Sequence, residues 1–136
     1  MIIADTSALL ALFNRADNAH DFVASFVSTN DESLVVSPFV VAELDYLIAT
    51  RLGVPAELAT IRELASGAYD LASLTADDLR TCTEIIARFD DQAIGVTDAS
   101  LVVLARRCAT KSILTLDHRH FTVLRPLNGG RFVLLP

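Results

Sequence analysis

The chain contains few of the residues that mark disulfide-stapled, thiolate-metal or membrane proteins. It has only two cysteines, Cys82 and Cys108, and they form no CxxC pair. Neither lies near paired histidines, so a disulfide framework and a structural zinc site are excluded. The first 13 residues have no basic start and no cleavage-like site, and no apolar run approaches the length of a membrane span. We therefore expect a soluble, cytoplasmic protein with two ordinary reduced thiols.

Several catalytic motifs are also missing. The sequence has no glycine-rich phosphate loop and no GxSxG elbow. His20, His118 and His120 have no zinc-like spacing with other ligands. Thiolate or histidine metal chemistry and serine-nucleophile chemistry therefore find no support.

What the chain does contain is enough apolar residues for one core. Its 136 residues are 52% hydrophobic and 21% charged, which excludes a disordered tail or fibre. A chain of this length forms one domain, here residues 1–136, without needing staples.

The charge is unevenly distributed along the chain. The net charge of −6 is unfavourable for binding a phosphate backbone. However, residues 1–99 hold 16 acids and 5 basic residues, whereas residues 100–136 hold 6 basic residues and one acid. One part of the surface is therefore expected to be locally basic, although scattered, solvated arginines would give the same count.

Short apolar runs alternate with amphipathic segments along the whole chain. Strands are predicted at 2–4, 34–36, 69–72, 112–116 and 131–135. Helices are predicted at 6–13, 18–28, 38–52, 54–66, 75–89 and 98–108, with Thr6 or Ser7, Ser37, Thr75 and Thr97 as N-caps. Strands separated by helices predict the α/β class, with a mostly parallel central sheet in an α/β/α sandwich.

Four acids are predicted to meet at one edge of that sheet. Asp5 and Asp117 each follow a strand, and ligands of open α/β sheets bind at the carboxyl ends of strands. Asp98 begins a helix, whose N-terminus stabilises a carboxylate. Glu43 lies inside an apolar helix, and a carboxylate on a packed face needs a partner or a cation.

Each acid has a structural alternative when taken alone. Asp5 is also suited to capping the helix that follows it, and Asp98 to a simple first-turn role. Glu43 would need no partner at the edge of its apolar stripe, and Asp117 would need none in a solvated turn. The combination favours a site, because clustered carboxylates require a counter-charge. A hard divalent cation, Mg²⁺ or Mn²⁺, supplies it and activates water toward a phosphodiester.

Four segments in this order resemble the PIN-domain nucleases. They are IIADTSA at 2–8, VAEL at 41–44, TDAS at 97–100 and LTLDHRHF at 114–121. The length and the order of the motifs are similar to the VapC toxins of bacterial toxin–antitoxin pairs, and the resemblance covers essentially the whole chain.

The resemblance implies a Mg²⁺- or Mn²⁺-dependent endoribonuclease that cuts structured RNA, either a tRNA or a ribosomal RNA loop. It also implies a homodimer that a VapB-like antitoxin inhibits. Carried over by motif, Asp5, Glu43, Asp98 and Asp117 are the catalytic, metal-binding acids. Thr6, Ser7 and Thr115 are then hydroxyls that orient carboxylates or water.

Two surface hypotheses accompany this site. The basic segment from Arg106 to Arg131, with Arg119 and Arg125 as the named candidates, is expected to grip phosphates that flank the scissile bond. The apolar residues of helices at 38–66 are expected to be covered by protein partners.

Three other classes share some of these features. A receiver-like phosphotransfer domain also has acids at strand ends, but here Lys111 precedes its strand and Glu43 lies within a helix. A catalytically inactive PIN-like module that binds RNA or protein is disfavoured because all four acids are present. A flap-type DNA nuclease usually has helical clamps for which this chain has no room.

Overall fold

A computed structural model describes all residues from Met1 to Pro136. Its strands are β1 (Ile2–Ala4), β2 (Leu34–Val36), β3 (Tyr69–Leu71), β4 (Ser112–Leu114) and β5 (Val133–Leu135). Its helices are α1 (Thr6–Phe13), α2 (His20–Thr29), α3 (Pro38–Leu52), α4 (Val54–Leu64), α5 (Ala76–Arg88), α6 (Val96–Arg107) and α7 (His118–Val123), with a 3₁₀ turn at Asp90–Gln92. No helix combines the length and the apolar character that crossing a membrane requires.

The five strands form one sheet in the order β3-β2-β1-β4-β5, and every pair is parallel. The chain moves outward from β1 to β3 and then returns to the other side of β1. The strand order therefore reverses between β1 and β4, which is where open α/β sheets place their ligands. The predicted fold class is confirmed.

Successive strand residues face opposite helical layers, as the pleat requires. Ile3, Val35 and Ile113 belong to the larger core, which also contains buried residues of α3, α5 and α6. Ile2, Leu34 and Leu114 belong to a smaller core with residues of α1 and α2. Both faces of the sheet are thus covered, which explains why the central strands β1 and β2 consist entirely of apolar residues.

Local sequence signals fix several helix ends. The hydroxyl of Ser37 accepts a hydrogen bond from the Phe39 backbone N–H, and Pro38 occupies the first position of α3. Gly53, with φ of 89°, ends this helix in a conformation that only glycine adopts easily. The predicted bounds of α3 are therefore correct.

Three helix predictions need correction. The N-cap of α6 is Gly95 rather than Thr97, so Asp98 lies in the first turn but not at its start. The N-cap of α1 is Asp5 rather than Thr6 or Ser7. The segment after Asp117, for which the sequence pattern predicts no helix, forms α7, whose Phe121 is buried in the larger core.

Asp78 ties α5 to α6. Its Oδ2 accepts hydrogen bonds from the Thr75 backbone N–H at 2.8 Å and from Arg107 Nη1 at 3.1 Å, and its own N–H bonds to the Thr75 hydroxyl. The Thr75 backbone N–H, aided by the Arg107 guanidinium and opposed by burial, lowers the pKa of Asp78. This reciprocal capping pattern satisfies donors that the helix start leaves free.

We expect Asp78→Ala to lower the free energy of unfolding by about 1–2 kcal/mol at pH 7, because it removes the reciprocal half of the Thr75 capping box and the charged hydrogen bond from Arg107. Because the native pKa lies below the unfolded value of about 3.9, this stabilisation is present at neutral pH and disappears as the pH falls below about 4. Urea denaturation at neutral and acidic pH measures both effects. The neighbouring Asp77→Ala, which breaks only an exposed pair with Arg80, should change stability little; equal losses in the two variants would contradict this role for Asp78.

Candidate active site

A cavity of about 380 Å³ opens at the carboxyl edge of the sheet, beside the reversal between β1 and β4. Four elements or their ends supply its acids: the end of β1, α3, the first turn of α6, and the start of α7. The lining residues are Asp5, Thr6, Ser7, Leu10, Glu43, Leu47, Ala93, Gly95, Thr97, Asp98, Asp117 and His120. All four predicted acids therefore line a single cavity.

Asp5 is the most buried of these acids, with 6% of its surface exposed. It stands at the N-cap position of α1, yet its side chain makes no capping hydrogen bond. Instead, Oδ2 accepts hydrogen bonds from Ser7 Oγ at 2.7 Å and Thr115 Oγ1 at 2.8 Å. Its carboxylate is therefore oriented by two hydroxyls that bind the same oxygen, and a capping role does not explain Asp5.

Ser7 and Thr115 also fix the segment that carries Asp117. The backbone N–H of Leu116 donates to Ser7 Oγ at 2.9 Å, and the backbone N–H of Asp117 donates to Thr115 Oγ1 at 3.0 Å. The two hydroxyls thus join the end of β1 to the end of β4. These contacts agree with the orienting role expected for Ser7 and Thr115.

Thr6 differs from the other two predicted hydroxyls. Its Oγ1 is buried and has no hydrogen-bond partner, although Thr6 lines the cavity. It does not contact a carboxylate in the way that Ser7 and Thr115 do.

Asp98 is half-buried and pairs with a residue that the sequence prediction left out of the site. Its Oδ2 lies 3.0 Å from Nδ1 of His120, and the two side chains are only 17% and 18% exposed. Burial raises the pKa of Asp98; His120 and a backbone hydrogen bond from Gly95 oppose this rise, while the charges of Asp5 and Glu43 add to it. The negative charges of Asp5 and Glu43 therefore act on the carboxylate of Asp98.

The only sequence signal for His120 was its spacing from Asp117. Three residues apart on one short helix, the two side chains reach the same cavity. This spacing brings the two side chains together only when the segment is helical, and the sequence pattern does not predict α7.

The position of Glu43 follows from the phase of α3. Val40, Leu44 and Ile48 form the fully buried stripe, whereas Glu43 is exposed and lines the cavity. The expectation that Glu43 lies on a packed face is wrong, so burial does not force it to find a partner. Glu43 lies beside the other acids because of the way α3 packs against α6. The N-cap of α3, Ser37, forms a hydrogen bond of 2.8 Å with Ser100 of α6.

Asp117 caps α7, and its Oδ1 accepts a hydrogen bond from the Arg119 backbone N–H at 3.1 Å. Its other oxygen lies 3.5 Å from the exposed guanidinium of Arg119. Arg119 and Arg125, the predicted RNA-binding residues, do not line the cavity. Arg107, from the same basic segment, is committed to Ser73 and Asp78 near β3.

The donor set is chemically suited to a hard divalent cation, because it consists of carboxylates with no sulfur ligand. As the side chains are placed, however, no three His, Cys, Asp or Glu groups are close enough together to hold a metal ion. The carboxylates of Asp5, Asp98 and Asp117 are each engaged by protein donors. Simultaneous ligation by several acids would therefore require side-chain movement at Glu43, Asp98 or Asp117, since Ser7 and Thr115 hold Asp5 in place.

Comparison with known proteins identifies the family and the fold of the chain. The family model of the PIN domain matches residues 2–125, so the chain belongs to the PIN-domain family. Ribonuclease VapC26 of Mycobacterium tuberculosis is 53% identical over 135 residues, which cover 99% of this chain and 100% of that protein. This likeness places the chain among the VapC toxins of the family and confirms the resemblance drawn from its sequence motifs.

Solved structures support the same fold. VapC20 of Mycobacterium tuberculosis, a sarcin-ricin loop cleaving toxin, has a TM-score of 0.81 at 24% identity and covers 86% of this chain and 90% of its own. VapBC2 of Rickettsia felis, bound to a DNA fragment from its promoter, has a TM-score of 0.70 at 15% identity and covers 99% of this chain and 98% of its own. FitAcB of Neisseria gonorrhoeae has a TM-score of 0.62 at 18% identity and covers 90% and 91%.

Proposed function

We propose that this protein is a Mg²⁺- or Mn²⁺-dependent endoribonuclease that acts on structured RNA in the cytoplasm. The observation that carries the proposal is the convergence of Asp5, Glu43, Asp98 and Asp117 on one cavity at the reversal of strand order. The 53% identity to a protein named as a ribonuclease supports RNA as the substrate.

The four carboxylates are the proposed ligands of the cation. A divalent ion bound there supplies Lewis-acid polarisation of the phosphate and activation of water for hydrolysis. Ser7 and Thr115 hold the Asp5 carboxylate in a fixed orientation, so less of its freedom is lost when a ligand binds. Nδ1 of His120 lies 3.0 Å from Oδ2 of Asp98 and orients this carboxylate in the free protein.

The test is an assay with purified protein, total RNA and single-stranded DNA, each with Mg²⁺, Mn²⁺ or EDTA. We expect discrete cuts in tRNA or ribosomal RNA that require the divalent ion, and mapping of the RNA ends gives the cleaved bond. An absence of cutting under all conditions, with RNA binding retained, would favour the inactive PIN-like module. Cutting of DNA alone would favour a DNA-directed nuclease.

We further propose that the protein is the toxin of a toxin–antitoxin pair, that a VapB-like antitoxin covers part of its surface, and that it forms a homodimer. Large apolar side chains on α3 and α4 are exposed: Tyr46, Leu52, Val54, Leu58 and Ile61, with exposed fractions from 38% to 68%. α3 and α4 contact each other, and exposed large apolar side chains on adjoining helices are typical of a protein interface. The Rickettsia felis VapBC2 complex, whose fold is similar, supports a partner of this kind.

Light scattering of the protein alone, and with the product of a neighbouring small reading frame, tests both associations. We expect a dimer alone and a larger complex with the partner. Tyr46→Ser with Leu58→Ser should weaken at least one of these associations. A monodisperse monomer at high concentration that binds no such product would contradict both.

A further inference from the structure

The smallest of the three cavities in the protein lies beside α7, and it differs from the acid cavity in its charge. Its volume is about 210 Å³, and it is lined by Phe121, Thr122, Arg125, Arg131, Phe132 and Leu134. Two of these six residues are arginines, and none is acidic. The rings of Phe121 and Phe132 meet edge to face, with centroids 6.1 Å apart, and give the cavity an apolar floor.

A third cation stands next to this cavity. A Cβ atom built on Gly130 would lie only 2.9 Å from Nζ of Lys111, so the ammonium group rests against the turn that leads into Arg131. None of the protein's ion pairs involves Lys111, Arg125 or Arg131. Three cations gathered without a carboxylate partner form a surface that attracts an anion.

Arg125 and Arg131 differ in the hydrogen bonds that their side chains make. Nη1 of Arg125 donates to the backbone carbonyls of Thr122, Val123 and Leu124, which fixes the guanidinium at the end of α7. Arg131 makes no side-chain hydrogen bond within the protein and is exposed. One arginine is therefore held in place by the backbone, and the other is free to close on a ligand.

The same helix borders both cavities. Asp117 and His120, at the start of α7, line the acid cavity, whereas Thr122 and Arg125, at its end, line the basic one. α7 spans six residues, a rise on the order of 9 Å, and Arg125 lies two residues beyond its end. A strand of RNA that places one phosphate at the acids therefore reaches the basic cavity within a few nucleotides.

Electrostatics gives a reason for such an arrangement. Four carboxylates repel a phosphodiester, and the net charge of the chain is −6. One divalent ion offsets only two of the four negative charges, so attraction of the flanking RNA backbone is expected to come from cations outside the acid cavity. Of the basic residues in the last third of the chain, Arg107 is bound to Asp78 and Arg119 lies beside Asp117.

We propose that the cavity formed by Arg125, Arg131 and the apolar floor, with Lys111 at its rim, binds a backbone phosphate of the RNA substrate a few nucleotides from the cleaved bond. The inference rests on the proposed ribonuclease function and deepens it by assigning a separate substrate-anchoring site. An acidic segment of a protein partner is the other class of ligand that this charge would attract.

The test uses Arg131→Ala, Arg131→Glu and Lys111→Ala, because Arg125 also supports the end of α7. Arg62→Glu on α4 is the matched control. Arg62 is also exposed, and its substitution makes the same change of charge at a position away from β5. Binding is measured by fluorescence anisotropy in EDTA, with a labelled RNA hairpin that carries the cut site mapped for the parent. Melting curves confirm that each variant folds.

We expect Arg131→Ala to weaken binding about 3–10-fold and to make the plot of log affinity against log salt shallower by about one, as for one lost phosphate contact. Arg131→Glu should weaken binding further, and Arg62→Glu should match the parent. In steady-state cleavage, KM should rise while kcat is largely retained. Removing nucleotides from one side of the cut should abolish the difference between the parent and Arg131→Ala.

Unchanged affinity and salt dependence in Arg131→Ala and Lys111→Ala would overturn the proposal. So would a loss of partner-protein binding in Arg131→Glu with RNA binding intact, which would assign the cavity to an acidic protein segment. If the parent cuts no RNA in Mg²⁺ or Mn²⁺, the proposed function fails instead. The anchoring site is then still judged from the effect of Arg131→Ala on binding of a tRNA mixture.

Discussion

Asp5→Asn is expected to lower the rate of RNA cleavage at least a hundredfold, a loss of about 2.7 kcal/mol of transition-state stabilisation. The carboxylate is 6% exposed, and Ser7 and Thr115 orient it through Oδ2. Asparagine preserves the shape and keeps one carbonyl oxygen for these donors. Its amide group, however, carries no negative charge and cannot ligate a cation through nitrogen.

Asp91→Asn is the matched control for this substitution. Asp91 is exposed on the 3₁₀ turn and does not line the acid cavity. Initial rates on the same RNA, with melting temperatures measured in parallel, separate a lost ligand from a lost fold. If Asp5→Asn cut RNA as fast as the parent while Asp91→Asn did too, Asp5 would have no catalytic role.

Chelation of divalent ions is expected to have an equally large effect. In EDTA the cleavage rate should fall to the rate of spontaneous RNA cleavage without protein, and excess Mg²⁺ or Mn²⁺ should restore it. The physical reason is that Asp5, Glu43, Asp98 and Asp117 line one cavity and would repel a phosphate without a counter-charge. Monovalent salt should not replace the divalent ion.

RNA incubated with the metal alone, and with Asp5→Asn plus metal, controls for spontaneous and contaminating cleavage. Undiminished cutting in EDTA would contradict metal dependence. It would direct attention to an acid–base mechanism in which His120, already 3.0 Å from Asp98, takes part.

Most of the fold was predictable because its signals are local. Short apolar runs indicate β1, β2 and β5, and Ser37, Pro38 and Gly53 fix both ends of α3. The order of the strands in the sheet could not be predicted from such local signals. Position along the chain does not reveal that β4 returns beside β1, and that pairing, made by contacts between residues more than a hundred positions apart, is what joins Asp5 to Asp117.

The failures also have physical causes. Nearly every residue at the start of α3 is apolar, so the apolar pattern could not fix the helix phase, and Glu43 was assigned to the wrong face. The segment HRHFTV contains two histidines and two β-branched residues, which are mediocre helix formers. Its helix is held by burial of Phe121, a tertiary contact, and His120 was missed with it.

The basic segment shows a similar limit. Charge counting indicated a basic region within residues 100–136, but the fold divides it. Arg107 is pinned beside β3 by Asp78, whereas Arg125 and Arg131 meet beside α7, next to β5. Only the three-dimensional arrangement distinguishes a cation that is already paired from one that is available for RNA.

The claim that four separated carboxylates share one divalent ion is tested most directly by calorimetric titration of Mn²⁺ into the metal-free protein at neutral pH. We predict saturable binding by the parent and by Asp91→Asn, and affinity at least about tenfold lower for Asp5→Asn, the size of effect seen when metal-site groups are removed. An absence of saturable binding by the parent, or equal affinity in Asp5→Asn, would contradict the claim.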